Sequence, residues 1–276
     1  MIIQHNISAL NTHRNLGING QNLAKNVEKL SSGYRINRAA DDAAGLSISE
    51  RMRAQIRGME QASRNSQDGI SLIQVAEGAL QTVNNMLVRI KELATQSANG
   101  TYDSTADRAR LQEELEELNK EITNISANTK FNGISLLDGS ATGGAIQLQI
   151  GQEAGQVLSL VVSNFDLTAS VTGAVGAWDI STQTGASTVL GSIEAIINSV
   201  SAARSYLGAN QNRLENTINN LNITAENLTA AESRIRDVDM AKEQMQFTKN
   251  NILTQASQAM LAQANQLPQG VLQLLR

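Results

Sequence analysis

Four glutamates, Glu113, Glu114, Glu116 and Glu117, crowd into one short stretch and make the densest carboxylate cluster of the chain. Helical di-metal sites pair such glutamates with Glu-x-x-His, yet the only histidines, His5 and His13, stand far off near the N-terminus. The cluster therefore reads as a solvated helix face. Serine and threonine are plentiful, but no histidine is placed to activate one of them as a nucleophile. Neither Gly-x-x-x-x-Gly-Lys nor Gly-x-Gly-x-x-Gly occurs, so no phosphate cradle is written into the chain. The absence of cysteine removes disulfides, thiolate metal ligands and cysteine nucleophiles together. We expect no enzyme, no cofactor and no bound metal. Asn-x-Ser/Thr at Asn6, Asn124, Asn222 and Asn227 is what chance supplies in so Asn-rich a chain.

A net charge of −4 and an aromatic content of 3% argue against nucleic-acid binding, which needs a basic surface and, for single strands, stacking rings. The N-terminus lacks the cationic stretch and apolar core of a cleavable signal peptide. No window of about 18 apolar residues is evident, so no membrane span is expected.

The elements that carry these residues follow from apolar spacing. Met52, Met59, Ser66, Ile73, Leu80, Leu87 and Ala94 recur every seven residues, with Ala62, Gly69, Ala76, Val83 and Ile90 on a second row. Leu207, Leu214, Leu221, Leu228 and Ile235 repeat the pattern. Ala231, Val238, Met245, Ile252 and Ala259 continue it while Lys242 and Lys249 interrupt the first row. A 3.5-residue period describes helices that bury a narrow seam against one another, and Pro268 is the one proline able to interrupt them. The fold expected is mainly α: a long antiparallel coiled-coil rod with its N- and C-terminal helices paired.

Along the chain, Ile3, Ile7, Leu10, Leu16, Leu23, Val27 and Leu30 predict a helix that Ser31-Ser32-Gly33 ends, followed by a connector to Gly45. A helix from Ile48 to Ser97 would be about 75 Å long at 1.5 Å per residue. Asn99-Gly100 predicts a turn, and Leu111, Leu115, Leu118, Ile122 and Ile125 an antiparallel helix after it. Near Phe131-Asn132-Gly133 the character changes, and no Lys or Arg follows until Arg204. Ala145–Ile150 alternates, Leu158–Val162 is apolar, and Gly151–Gly155 supplies a turn, which predicts a β-hairpin. Helix resumes near Ile193 and runs to the C-terminus. The domains expected are 1–40 with 236–276, and 41–235, the latter holding a hairpin and loop region at 131–192. With few charges and no heptads, Ser140–Leu190 is expected at the outside, and Thr168–Gly185 is expected to be dispensable.

The terminal arms carry few large apolar groups per turn, so burial between copies rather than within one chain is expected to stabilise them. Ile7, Leu10, Leu23, Val27, Leu30, Val238, Met245, Ile252 and Ala259 are assigned to that assembly seam. Surfaces that join one copy to the next without closing a ring generate helical polymers.

Several longer blocks stand out. They are Leu30-Ser31-Ser32-Gly33 with Arg35-Ile36-Asn37 and Asp41-Asp42-Ala43-Ala44-Gly45-Leu46, then Asn65-Ser66-Gln67-Asp68-Gly69-Ile70-Ser71-Leu72 running into Ala76-Glu77-Gly78-Ala79-Leu80. Near the other end stand Glu226–Asp237, Gln263-Ala264-Asn265-Gln266 and the final Leu274-Leu275-Arg276. Together these blocks resemble bacterial flagellin. The resemblance implies a secreted, extracellular filament subunit for motility, with paired terminal helices inside and a second helical domain around them. It implies a homopolymer, an export chaperone at the C-terminal arm and a filament cap as partners. It also places Arg89, Leu93 and Glu114 where flagellins meet the flagellin-sensing Toll-like receptor. A hook-filament junction protein shares the paired-arm design, and a signalling coiled coil such as a chemoreceptor hairpin shares the composition but would ordinarily bring a membrane span.

Overall fold

The computed structural model describes residues 6–103, 106–139, 144–167, 171, 173 and 176–274. His5 and the last two residues of the C-terminal block lie outside this set. Among the described residues the chain is mainly helical, with α1 at Ile7–Ser32, α2 at Ala43–Ser97, α3 at Asp107–Asn128, α4 at Gln183–Arg236 and α5 at Met240–Leu274. The remainder includes two small antiparallel strand pairs. The terminal helices α1 and α5 pack together, as their ladders require.

Each end has a local cause. The Asn6 side chain accepts the Ala9 N–H at 3.1 Å and caps α1. At its other end Gly33, at φ 75°, donates its N–H to the Lys29 carbonyl, a left-handed cap that a side chain would strain. Asp42 accepts from Gly45 N at 2.8 Å and starts α2. The buried Arg108 closes its far end, donating from Nε to Ser97 O and from Nη2 to Asn99 O, each at 3.0 Å. A guanidinium there meets the negative pole of the helix.

The first strand pair, β1 at Lys130–Phe131 and β2 at Ile134–Ser135, turns through Asn132 and Gly133 at φ 49° and 79°. Sequence reasoning noted a change of character here but missed the hairpin, although Asn-Gly between short runs is its strongest local sign. The expected hairpin is present as β3 at Ala145–Gln149 and β4 at Val157–Val161, with Ala145 opposite Val161 and Gln149 opposite Val157.

The chain divides into two compact units, 1–56 with 226–276, and 57–225. In the second, the ladder forms the core: Ile73, Ala76, Leu80, Val83, Leu87 and Ile90 are fully buried. Leu115 and Ile122 of α3 and Ile193, Val200, Leu207 and Leu214 of α4 pack with them. Gly69 lets the hairpin close on α2, since a Cβ there would lie 2.6 Å from Leu148 Cδ1.

Four expectations need correction. Helix α4 starts at Gln183 rather than near Ile193, with the Thr182 hydroxyl accepting from Gly185 N at 3.1 Å. Its first turns bury Ala186 and Val189, side chains too few and too small to show a period. Nor does helix run unbroken to the end, because Asp237–Asp239 separates α4 from α5. There Val238 donates its N–H to Gly33 O at 3.0 Å, while Asp239 accepts from Lys242 N at 3.1 Å and caps α5. The central segment is not all peripheral, for Val171, Trp178 and Ile180 are buried in the core; residues 168–170, 172 and 174–175 of it lie outside the described set.

Finally, α4 contains an 18-residue window of mean hydropathy 1.2, long and apolar enough by composition to cross a membrane. The sequence reading passed over it because serine, alanine and glycine separate its aliphatic residues. Glu194 is the only charge between Ile180 and Arg204, and Ile193, Ile196, Val200 and Ala203 place the apolar side of the helix in the core.

Candidate assembly surface

The α1–α5 pair is antiparallel and meets along a seam that is half polar. On α1 the less exposed positions are Ala9, Leu16, Leu23 and Leu30 in one heptad row and Thr12, Asn19 and Asn26 in the other. On α5 they are Glu243, Asn250, Ser257 and Ala264 in one row and Phe247, Thr254 and Leu261 in the other. Asn19 Nδ2 donates to Ser257 Oγ at 3.0 Å, and Asn6 Nδ2 to the Ala264 carbonyl at 2.7 Å. In the amide orientation that satisfies its neighbours, the buried Asn26 donates to Glu243 Oε1 at 3.2 Å and accepts from Asn250 Nδ2 at 3.1 Å.

This seam separates the residues assigned to assembly. Leu23 and Leu30 are half-buried and face the paired helix, whereas Ile7, Leu10 and Val27 are exposed. Met245 and Ile252 are 67% and 60% exposed, and Ala259 is exposed with them. Their seven-residue row lies half a turn from the α5 seam, and Met245 and Ile252 of it line a shallow apolar groove with Ala241, Thr248 and Leu253. Val238 belongs to neither face, since it sits in the break between α4 and α5.

Where the arms join the rest of their unit, two chain breaks are stitched together. Tyr34 and Asp237 form an isolated antiparallel bridge, and Arg35 N donates to Arg236 O at 2.7 Å. The Tyr34 ring lies under the guanidiniums of Arg236, at 4.9 Å, and Arg53, at 5.4 Å. Arg53 Nη2 also donates to Tyr34 Oη at 3.0 Å, while its Nε pairs with the buried Glu232 carboxylate at 3.0 Å. The Tyr34 hydroxyl first, and the Glu232 charge after it, hold the Arg53 pKa above its ordinary value. Arg236 Nη1 donates to the buried Ser49 hydroxyl at 3.1 Å. Sequence reasoning missed this cluster; its one visible sign was the pair Tyr34 and Arg35 directly after the helix-ending Gly33.

In the second unit, Arg89 and Glu114 come together at 2.8 Å across the α2–α3 turn, and Arg89 also reaches Glu92 at 3.1 Å. The bond to Glu114 first, then that to Glu92, raises the Arg89 pKa. Leu93 does not share their exposure, being 1% exposed in the core beneath them. The glutamate cluster is spread over a solvated face: Glu113 pairs with Arg110, Glu114 with Arg89 and Glu117 with Lys120, and Glu116 accepts from Gln112. Among the described residues no group of three His, Asp or Glu side chains converges as metal ligands would.

Comparison with known proteins adds the remaining observation. Residues 3–142 match the family described as bacterial flagellin N-terminal helical region, and residues 190–275 match its C-terminal helical region. The chain is 59% identical over 276 residues to a flagellin of Halalkalibacterium halodurans and 52% identical over 308 to one of Bacillus subtilis, with full coverage of both chains in each case. It is 46% identical over 287 residues to a flagellar filament 31.3 kDa core protein of Treponema maltophilum, again at full coverage. Among solved structures, a flagellin of Bacillus cereus aligns with TM-score 0.52 and 33% identity over 61% of this chain and 94% of that one. A flagellar hook-associated protein of Vibrio parahaemolyticus aligns with TM-score 0.58 at 13% identity over 71% of this chain and 100% of that one, a likeness of fold alone.

Proposed function

The chain belongs to the bacterial flagellin family, and on that premise we propose that it is the subunit of an extracellular flagellar filament, a helical homopolymer that serves motility. The observation that carries this reading is the outward row Met245, Ile252 and Ala259, with Ile7, Leu10 and Val27 exposed on the paired helix. Large side chains on a seven-residue row are costly to leave in water and are suited to another helix. A second copy offers the α1 residues to the α5 row of the first, a heterologous contact that propagates without closing. Relatives called filament core proteins support the same reading.

Three partners follow from the family. An export chaperone would cover the C-terminal arm before secretion, a cap would meet the growing end, and the flagellin-sensing Toll-like receptor would read Arg89 and Glu114. Leu93 would act from beneath, by holding α2 against α3. The division of the chain into a terminal pair, 1–40 with 236–276, and a surrounding domain, 41–235, belongs to this proposal as well.

The test is polymerisation of the purified chain on sonicated filament seeds, followed by electron microscopy. Long filaments are expected from the full chain, and none after removal of 255–276. A fully helical protein that yields only short rods, or that polymerises undiminished after the truncation, overturns the reading.

A further inference from the structure

A pair of helices placed between other helices has a choice of faces. Turning α5 by half a turn would bring Met245, Ile252 and Ala259 against Ala9, Leu16, Leu23 and Leu30, an apolar seam closed within one chain. The observed pair instead closes on a half-polar seam and leaves that apolar row outside. Turned, α5 would trade the half-buried Phe247 and Leu261 for Met245 and Ile252, apolar for apolar, so the hydrophobic effect does not choose between the faces. The hydrogen bonds do choose, because the turned face takes Asn19 and Asn26 away from Ser257, Glu243 and Asn250, and an unpaired buried amide costs its full desolvation.

We propose that Asn19 and Asn26, with Ser257, Asn250 and Glu243, are specificity-determining residues for self-assembly: they select the face of α5 that meets α1 and so leave the apolar row to a second copy. The second copy rests on the filament reading above; the choice of face does not. The geometry is that of matched partners, Asn19 with Ser257 and Asn26 with both Glu243 and Asn250, so these amides are answered on the facing helix. A polar pair at a seam position lowers stability and excludes other arrangements. Register is a separate matter, already fixed at the inner end by the bonds of Gly33 and Arg35 to Val238 and Arg236.

The chain has no cysteine, so spin labels can be attached at Arg14→Cys and Gln255→Cys, both at exposed positions of α1 and α5. Distances are read by pulsed electron resonance, free in solution and in polymer diluted with unlabelled chain. The otherwise unaltered chain should give one distance in the polymer. N19L/N26L should add a second population, shifted by roughly a helix diameter of 10 Å. It should also raise the critical concentration for polymerisation by about tenfold, the equivalent of one misplaced hydrogen bond. The swap N19S/S257N keeps a hydroxyl facing an amide and should restore both values. The proposal is overturned if N19L/N26L keeps the single distance and the original critical concentration, if the swap behaves like N19L/N26L, or if the unsubstituted seam gives a broad distribution in both states. A chain that never polymerises defeats the filament reading instead, and its distances in solution still report the face chosen.

Discussion

Arg89 and Glu114, 25 residues apart in sequence, meet at 2.8 Å across the α2–α3 turn and bind each other on an exposed surface. A partner that reads this site must take up the pair as a unit or displace one member by another acceptor. If the proposed receptor contact holds, Arg89→Asp should weaken binding to the Toll-like receptor by at least about tenfold, as a central charged contact does. The helical circular-dichroism signal should stay unchanged. Equal affinity in a titration would remove Arg89 from the receptor site.

Leu87 is fully buried in the ladder of α2, among residues of α3 and α4. Leu87→Ala should cost about 2–5 kcal/mol in denaturant unfolding, by lost transfer energy and a cavity that rigid helices cannot close. The exposed Val88 next to it serves as the control, and Val88→Ala should change stability by no more than about 0.5 kcal/mol.

Gly69 faces Leu148 of the hairpin. An alanine Cβ would meet the movable tips of Leu148 and, at 3.3 Å, Leu214, whereas valine adds methyl groups to an occupied space. Gly69→Val should cost about 1–3 kcal/mol and speed hydrogen exchange across Ala145–Gln149, with Gly69→Ala milder than this. Equal exchange in both variants would show that the hairpin does not depend on this approach.

Deletion of 168–185 removes Val171, Trp178 and Ile180 from the core. It should lower the melting temperature by more than about 10 °C, given that each large buried side chain lost costs 2 kcal/mol or more. A deletion variant with the parental melting curve would restore the view of this segment as an outer loop.

Asp41 accepts from Arg38 N at 3.0 Å and Asn37 N at 3.2 Å, and the Arg38 bond is the chief cause that lowers its pKa. The Lys91 ammonium, 2.7 Å from Glu194, lowers the pKa of that carboxyl in the same direction. A depressed folded-state pKa adds stability above the unfolded value and loses it as pH falls through the folded one. Stability from both groups should therefore be complete near neutrality and fade as pH falls below the ordinary carboxylate values of 3.8 and 4.5. Asp41→Asn should flatten the acid side of a stability–pH profile, and an unaltered profile would contradict the assignment.

The ladders were legible because burial on a 3.5-residue period repeats for many turns, and Ile73, Leu80 and Leu87 announce α2 without any structure. The face of the terminal arms was less so. Met245, Ile252 and Ala259 could be read as a row, but its direction depends on Asn19, Asn26 and Ser257, whose polarity resembles that of any solvated position. The burial of Leu93 was illegible for a related reason: four residues from Arg89 on one helix it shares a side, yet a rotation small enough to be invisible in the spacing carries it into the core. The break at Asp237–Asp239 was masked by Val238, whose apolar side chain keeps the heptad count running through three residues that leave the helix.

That break and the one at Gly33 close the intervening chain into a loop, with Val238 N bound to Gly33 O and Tyr34 bridged to Asp237. The entropy of closing a loop grows only with the logarithm of its length, so doubling the enclosed chain costs about 0.6 kcal/mol. The ends of this protein can thus stay fixed while its middle is rewritten. The unmatched stretch 143–189, lying between two matched regions, is where such a chain has room to lengthen.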